Sequence, residues 1–131
     1  MFGYVMVGTN DKARAAEFYD VLMGELGYKR IIDMFHIVGW GSQMGKPWFA
    51  VCTPLDRNEA TLGNGTMVAL AVDSEADVDR LYAKALELGG TCEGKPGMRP
   101  AGFYCAYFRD LDGNKFNFHT PGEELRSKLA G

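Results

Sequence analysis

The chain is poor in the residues on which small metal-binding and disulfide-bonded proteins rely. Among 131 residues there are two histidines and three cysteines. Cys52, Cys92 and Cys105 are odd in number and widely spaced, which argues against both a disulfide framework and a CxxC zinc site. No apolar run approaches the roughly 18–20 residues of a membrane span, and mean hydropathy is −0.16, so no membrane partner is expected. Basic clusters are absent as well. With 14 Lys and Arg against 17 Asp and Glu, the net charge is −3, which excludes the basic footprint of a nucleic-acid binder. The stretch from Met1 to Gly8 has no basic n-region, so the expectation is a reduced, cytoplasmic protein rather than an exported one. Low-complexity linkers are missing too.

What the chain does contain is a repeat. At a shift of 63 positions, Tyr4–Val7 falls on Met67–Leu70 and Gly27 falls on Gly90. Ala15, Phe18, Tyr19 and Leu22 fall on Val78, Leu81, Tyr82 and Ala85. Near the C-terminus the shift grows to 67, where Val51–Pro54 falls on Phe118–Pro121. A single loop-length difference between two copies of one unit accounts for the drift.

Both copies parse alike. Val5 and Val7, and later Val68, Leu70 and Val72, alternate with their neighbours as a half-buried strand does. Thr9-Asn10-Asp11 and Ser74 supply N-cap side chains, and Asp77 completes the pattern of a capping box. The first helix is expected over 11–25, and Gly89-Gly90 is expected to stop the second. Three strands follow each helix, near 28–33, 35–40 and 47–53, then near 90–95, 103–109 and 115–120. Asp112-Gly113 marks a hairpin. The fold class is α+β: two tandem βαβββ modules in one domain, module one about 1–55 and module two about 66–121. Residues 122–131 form a short helix or a tail.

The residues Val7-Gly8-Thr9-Asn10-Asp11, Ala16-Glu17-Phe18-Tyr19 and Leu26-Gly27-Tyr28 resemble the first module of the glyoxalase/bleomycin-resistance/extradiol-dioxygenase (vicinal oxygen chelate) superfamily. Phe108-Arg109-Asp110-Leu111-Asp112-Gly113-Asn114-Lys115 resembles its closing D-P-D-G-N hairpin, with Leu111 in place of proline. The resemblance implies a curled, cup-shaped mixed sheet with the helices outside, and a homodimer. It also implies a lyase, isomerase or dioxygenase that holds a divalent metal (Zn, Ni, Fe or Mn) on His, Gln or Glu of the first and last strands of each module. Those positions here read Tyr4 (or Phe2, if the turn before the helix carries an insertion), Ala50, Met67 and Asn117. Ala50 and Met67 are not ligands for a hard or borderline cation, so no cofactor is expected.

Strand parity places Tyr4, Met6, Trp48, Ala50, Cys52, Met67, Asn117 and His119 on the face turned into the cup. His119 is the candidate catalytic group, and Cys52 is its repeat mate, either an imidazole-activated thiol or a small buried one. His36 falls on the third strand. Arg99 lies in a Gly/Pro-rich loop, Gly94–Gly102, from which it reaches a ligand's carboxylate or phosphate or points into solvent. Gly39–Gly45 is a candidate lid. The first reading is thus a small, apolar or aromatic molecule held in the cup without the usual metal. Two others stay open: a metal-dependent enzyme using His119, Cys52 and Asn117, and a non-catalytic protein whose cup is filled by side chains.

Overall fold

The two N-caps form as the sequence implies. In the computed structural model, which describes residues 1–130, the Asp11 carboxylate accepts from Arg14 N at 3.1 Å and opens helix α1, Lys12–Glu25. Ser74 Oγ accepts from Asp77 N, also at 3.1 Å, and opens α2, Glu75–Glu87. Each helix follows a short strand, β1 (Tyr4–Gly8) or β5 (Val68–Ala71), and precedes three more. In the first unit, Met1–Asn64, these are β2 (Lys29–Met34), β3 (Ile37–Gly41) and β4 (Trp48–Cys52). In the second, Gly65–Gly131, they are β6 (Thr91–Met98), β7 (Phe103–Arg109) and β8 (Lys115–Pro121).

Each unit builds an open four-stranded mixed sheet, ordered β1-β4-β3-β2 in the first and β5-β8-β7-β6 in the second. The first strand pairs parallel to the last, and the other pairs are antiparallel. A third helix, α3 (Glu123–Ala130), takes up the predicted tail after Gly122; residue 131 lies outside the described residues. No helix among the described residues is long and apolar enough to cross a membrane.

Alternation along the strands decides what each sheet face carries. In the first unit Phe49, Val51, Val38 and Trp40 are buried together with Phe18, Tyr19, Leu22 and Met23 of α1. Tyr19 lies 4.8 Å from Phe49, ring to ring, and 5.6 Å from Trp40. In the second unit Phe108 stacks on Phe116 at 5.4 Å and on Phe118 at 5.3 Å. Val78, Leu81 and Ala85 of α2 are buried on that side. The intervening residues of each strand therefore face away from the helix.

Five features differ from the sequence expectation. Gly94–Gly102 is mostly strand, because β6 runs to Met98 and leaves only a tight turn closed by Gly102 N donating to Arg99 O. Register shifts flank Gly94 and Gly97, and such bulges let an edge strand hold Pro96. The supposed lid begins as interior strand: Gly39–Gly41 belongs to β3, and Trp40 is 1% exposed, its Nε1 donating to Asp20 Oδ1. His36 lies in the two-residue turn after β2, beside Phe35 at φ +49°, instead of on a strand. Met67 precedes β5 and is 41% exposed.

Finally, the glycine equivalent to Gly27 is Gly89, not Gly90. Helix α2 has 13 residues against 14 in α1, which moves its stop by one. Both glycines have positive φ, +86° and +106°, and close Schellman motifs. Tyr28 N donates to Met23 O, and Gly90 N to Ala85 O.

Two glycine substitutions test this packing. A Cβ at Gly90 would lie 2.8 Å from Ala85 O and 2.9 Å from Arg109 O, both rigid backbone. Gly90→Ala is expected to lower the unfolding free energy by about 1–3 kcal/mol. Gly24, inside α1 with nothing within 4 Å of the site, should behave oppositely: Gly24→Ala is expected to add about 0.5–1 kcal/mol. Urea denaturation followed by circular dichroism measures both.

Candidate functional site

The face of the second sheet opposite α2 carries a cavity of about 250 Å³. β8 supplies Asn117 and His119, set off from Phe116 and Phe118 by the alternation of the strand. Cys105 and Tyr107 of β7 stand directly opposite His119 and Asn117 in the antiparallel register. Ala69 pairs with Asn117 on the other side. Phe103 and Ala101 close one end, with the Phe103 ring edge-on to His119 at 5.7 Å between centroids.

Polar groups in this cavity are tied to one another. His119 Nδ1 lies 3.0 Å from Asn117 Oδ1. Burial pushes the His119 imidazole below its ordinary pKa, because desolvation penalises the charged ring. The Tyr107 phenol is pushed up, chiefly by burial and further by the neighbouring Cys105 thiol. The positive charge of Arg99 pulls the other way, and Asn117 adds to it. Asn117 is 5% exposed, so a bonded amide is what its burial requires.

Arg99 supplies the charge. Its Nη2 donates to Lys95 O at 2.7 Å, and its guanidinium lies 5.3 Å over the Tyr107 ring, a cation–π contact. The side chain folds back along β6 because Gly94 and Gly97 leave room. A Cβ at either glycine would meet a guanidinium nitrogen, at 3.3 Å and 3.1 Å respectively. No carboxylate among the described residues is paired with Arg99.

The remaining sequence candidates do not line this cavity: Met67 precedes β5 of the second unit, and the others belong to the first. Tyr4 stacks on Trp48 at 4.4 Å. The indole lies across β3, where a Cβ on Gly39 would stand 2.6 Å from Trp48 Cζ3. Met6 pairs with Ala50, which is fully buried. Cys52 ends β4, and burial raises its thiol pKa, the reverse of what an imidazole-activated nucleophile needs. The face with Tyr4 and Trp48 is thus occupied by aromatic side chains, whereas the cavity belongs to the second sheet.

Cys105, Tyr107 and Phe103 are the lining residues that sequence reasoning missed. The signal was the Asp-Gly hairpin: closing β7 onto β8 there sets Tyr107 across from Asn117 and Cys105 across from His119.

The donor set does not fit a bound divalent metal. Ala50 has no donor, Met67 offers an exposed thioether ahead of its strand, and Asn117 is already bonded to His119. Among the described residues no three His, Cys, Asp or Glu side chains gather as ligands. The site's chemistry is instead that of a fixed cation, a neutral imidazole, an amide and a phenol beside apolar walls.

Comparison with curated proteins gives no match. Among solved structures, a glyoxalase/bleomycin resistance protein from Albidiferax ferrireducens T118 is 38% identical, with TM-score 0.83 over 91% of this chain and 97% of that one. Lactoylglutathione lyase from Agrobacterium tumefaciens is 19% identical, with TM-score 0.68 over 95% of each chain. The fosfomycin resistance protein FosX from Mesorhizobium loti is also 19% identical, with TM-score 0.65 over 97% of each; at that identity these two share the fold alone. Residues 1–118 match the Glyoxalase/Bleomycin resistance protein/Dioxygenase superfamily, and with the paired βαβββ units in place the chain belongs to that superfamily.

Proposed function

We propose that the protein binds a small, ring-sized molecule in the cavity of the second sheet, and does so without a bound metal. The observation that carries this reading is the convergence of Arg99, Tyr107, Asn117 and His119 on an otherwise apolar space, the usual make-up of a small-molecule site. At about 250 Å³ the space exceeds the roughly 150 Å³ that takes up benzene. It falls short of the roughly 300–1,000 Å³ typical of drug-sized ligands. A single ring with one or two substituents matches that size. Membership of the superfamily adds a precedent for homodimers, and we propose one here, to be read from light scattering behind size exclusion.

Metal independence rests on the donor set, since neither Ala50 nor Met67 can replace a His or Glu ligand. The protein should therefore bind single-ring probes (phenol, benzoate and the hydroxybenzoates) equally well before and after EDTA dialysis, as seen by saturation-transfer NMR. Binding that vanishes with EDTA and returns with Zn, Ni, Fe or Mn would overturn the reading. So would the absence of binding by every probe.

The neutral imidazole gives a second expectation. Because the folded pKa of His119 is depressed, the unfolded chain takes up that proton first as pH falls. The His119 contribution is neutral above about 6.5, the ordinary histidine pKa, and becomes destabilising as pH drops through it. It levels off once the folded His119 titrates. Urea midpoints between pH 5 and 8 should show this slope, and His119→Gln should remove it.

A further inference from the structure

The hydrogen bonds of the cavity fix which nitrogen of His119 faces a ligand. Asn117 Oδ1 meets His119 Nδ1 at 3.0 Å. A carbonyl oxygen only accepts, so Nδ1 carries the proton. In the neutral ring Nε2 is left with a lone pair, and it has no partner among the described residues. The cavity therefore offers one strong acceptor at His119.

The other polar group is opposite in kind. Arg99 is anchored by the Lys95 carbonyl and the Tyr107 face, over two glycines that make space for it. Anchoring of this sort holds a guanidinium in one place, and Arg99 has no carboxylate to neutralise it among the described residues. A planar guanidinium with donors to spare is suited to an oxyanion.

We infer that the cavity selects a small aromatic or similarly compact acid that carries both an ionised carboxylate, seated on Arg99, and an O–H or N–H donor, seated on Nε2 of His119. This rests on the small-molecule reading above and names the ligand class for that site. Asn117 is a positioning residue in this arrangement. It touches the imidazole and sets its tautomer, and the imidazole meets the ligand.

Isothermal calorimetry at pH 7.5 with benzoate, phenol and the three hydroxybenzoate isomers tests the inference. At least one hydroxybenzoate should bind 10-fold or more tighter than both benzoate and phenol. Arg99→Met should erase the advantage over phenol, whereas His119→Phe should erase only the advantage over benzoate. A wild-type measurement guards against misfolded variants: long-range proton–nitrogen NMR should show His119 protonated at Nδ1 and bare at Nε2. Asn117→Leu should turn that signature into a tautomer mixture.

Equal binding of all the probes would overturn the ligand class while leaving the small-molecule site intact. Protonation at Nε2 in the wild type would overturn it as well. If no probe binds, the site reading itself falls, and this inference with it.

Discussion

Everything in the second unit hangs on the two-residue alternation of β8. Phe116 and Phe118 are drawn to α2 by the gain from burying their rings, about 25 cal/mol per Å² of apolar surface, and are fully enclosed. That commits Asn117 and His119 to the other face with no freedom to turn. A slip of one residue would bury both polar side chains against Phe108 and expose two phenylalanines. The parallel pairing with β5 and the antiparallel pairing with β7 hold the register from both sides. The cavity is thus located by its apolar neighbours, and its polar chemistry follows from where they must go.

Much of this was legible in the sequence because it is local. The N-caps at Asp11 and Ser74, the glycine after each helix and the parity of Asn117 and His119 depend on residues only a few positions apart. The doubling of the unit was legible for the same reason, one pattern written twice. What escaped depends on distant partners. Gly39 and Gly41 resemble loop glycines, yet they lie in an interior strand where the Trp48 side chain fills the space above them. Gly94, Pro96 and Gly97 likewise resemble a loop, and only the bulged pairing with β7 makes them strand. Arg99 was placed in a loop on composition, and its fold-back over β6 is a tertiary contact that no local pattern encodes.

The metal question illustrates how a family pattern and a particular chain can part. The superfamily scaffold is present in full, down to the Asp110 turn, whose carboxylate accepts from Asp112 N, Asn114 N and the Asn114 side chain. Leu111 stands where the family has proline, and the turn forms without it. The ligand positions are independent of that scaffolding. Alanine and methionine stand at two of them, Ala50 and Met67, and both sheets still form.

The bulged edge of the second sheet has a bearing on self-association. An exposed edge strand is a template for another chain unless something spoils its row of donors and acceptors. In β6 the two register shifts break the spacing, Pro96 lacks an N–H, and the positive charge of Lys95 stands beside it. That border is poorly made for extending the sheet into a neighbour. The same irregularity that leaves room for a guanidinium therefore also protects the protein against growing, strand upon strand, into an aggregate.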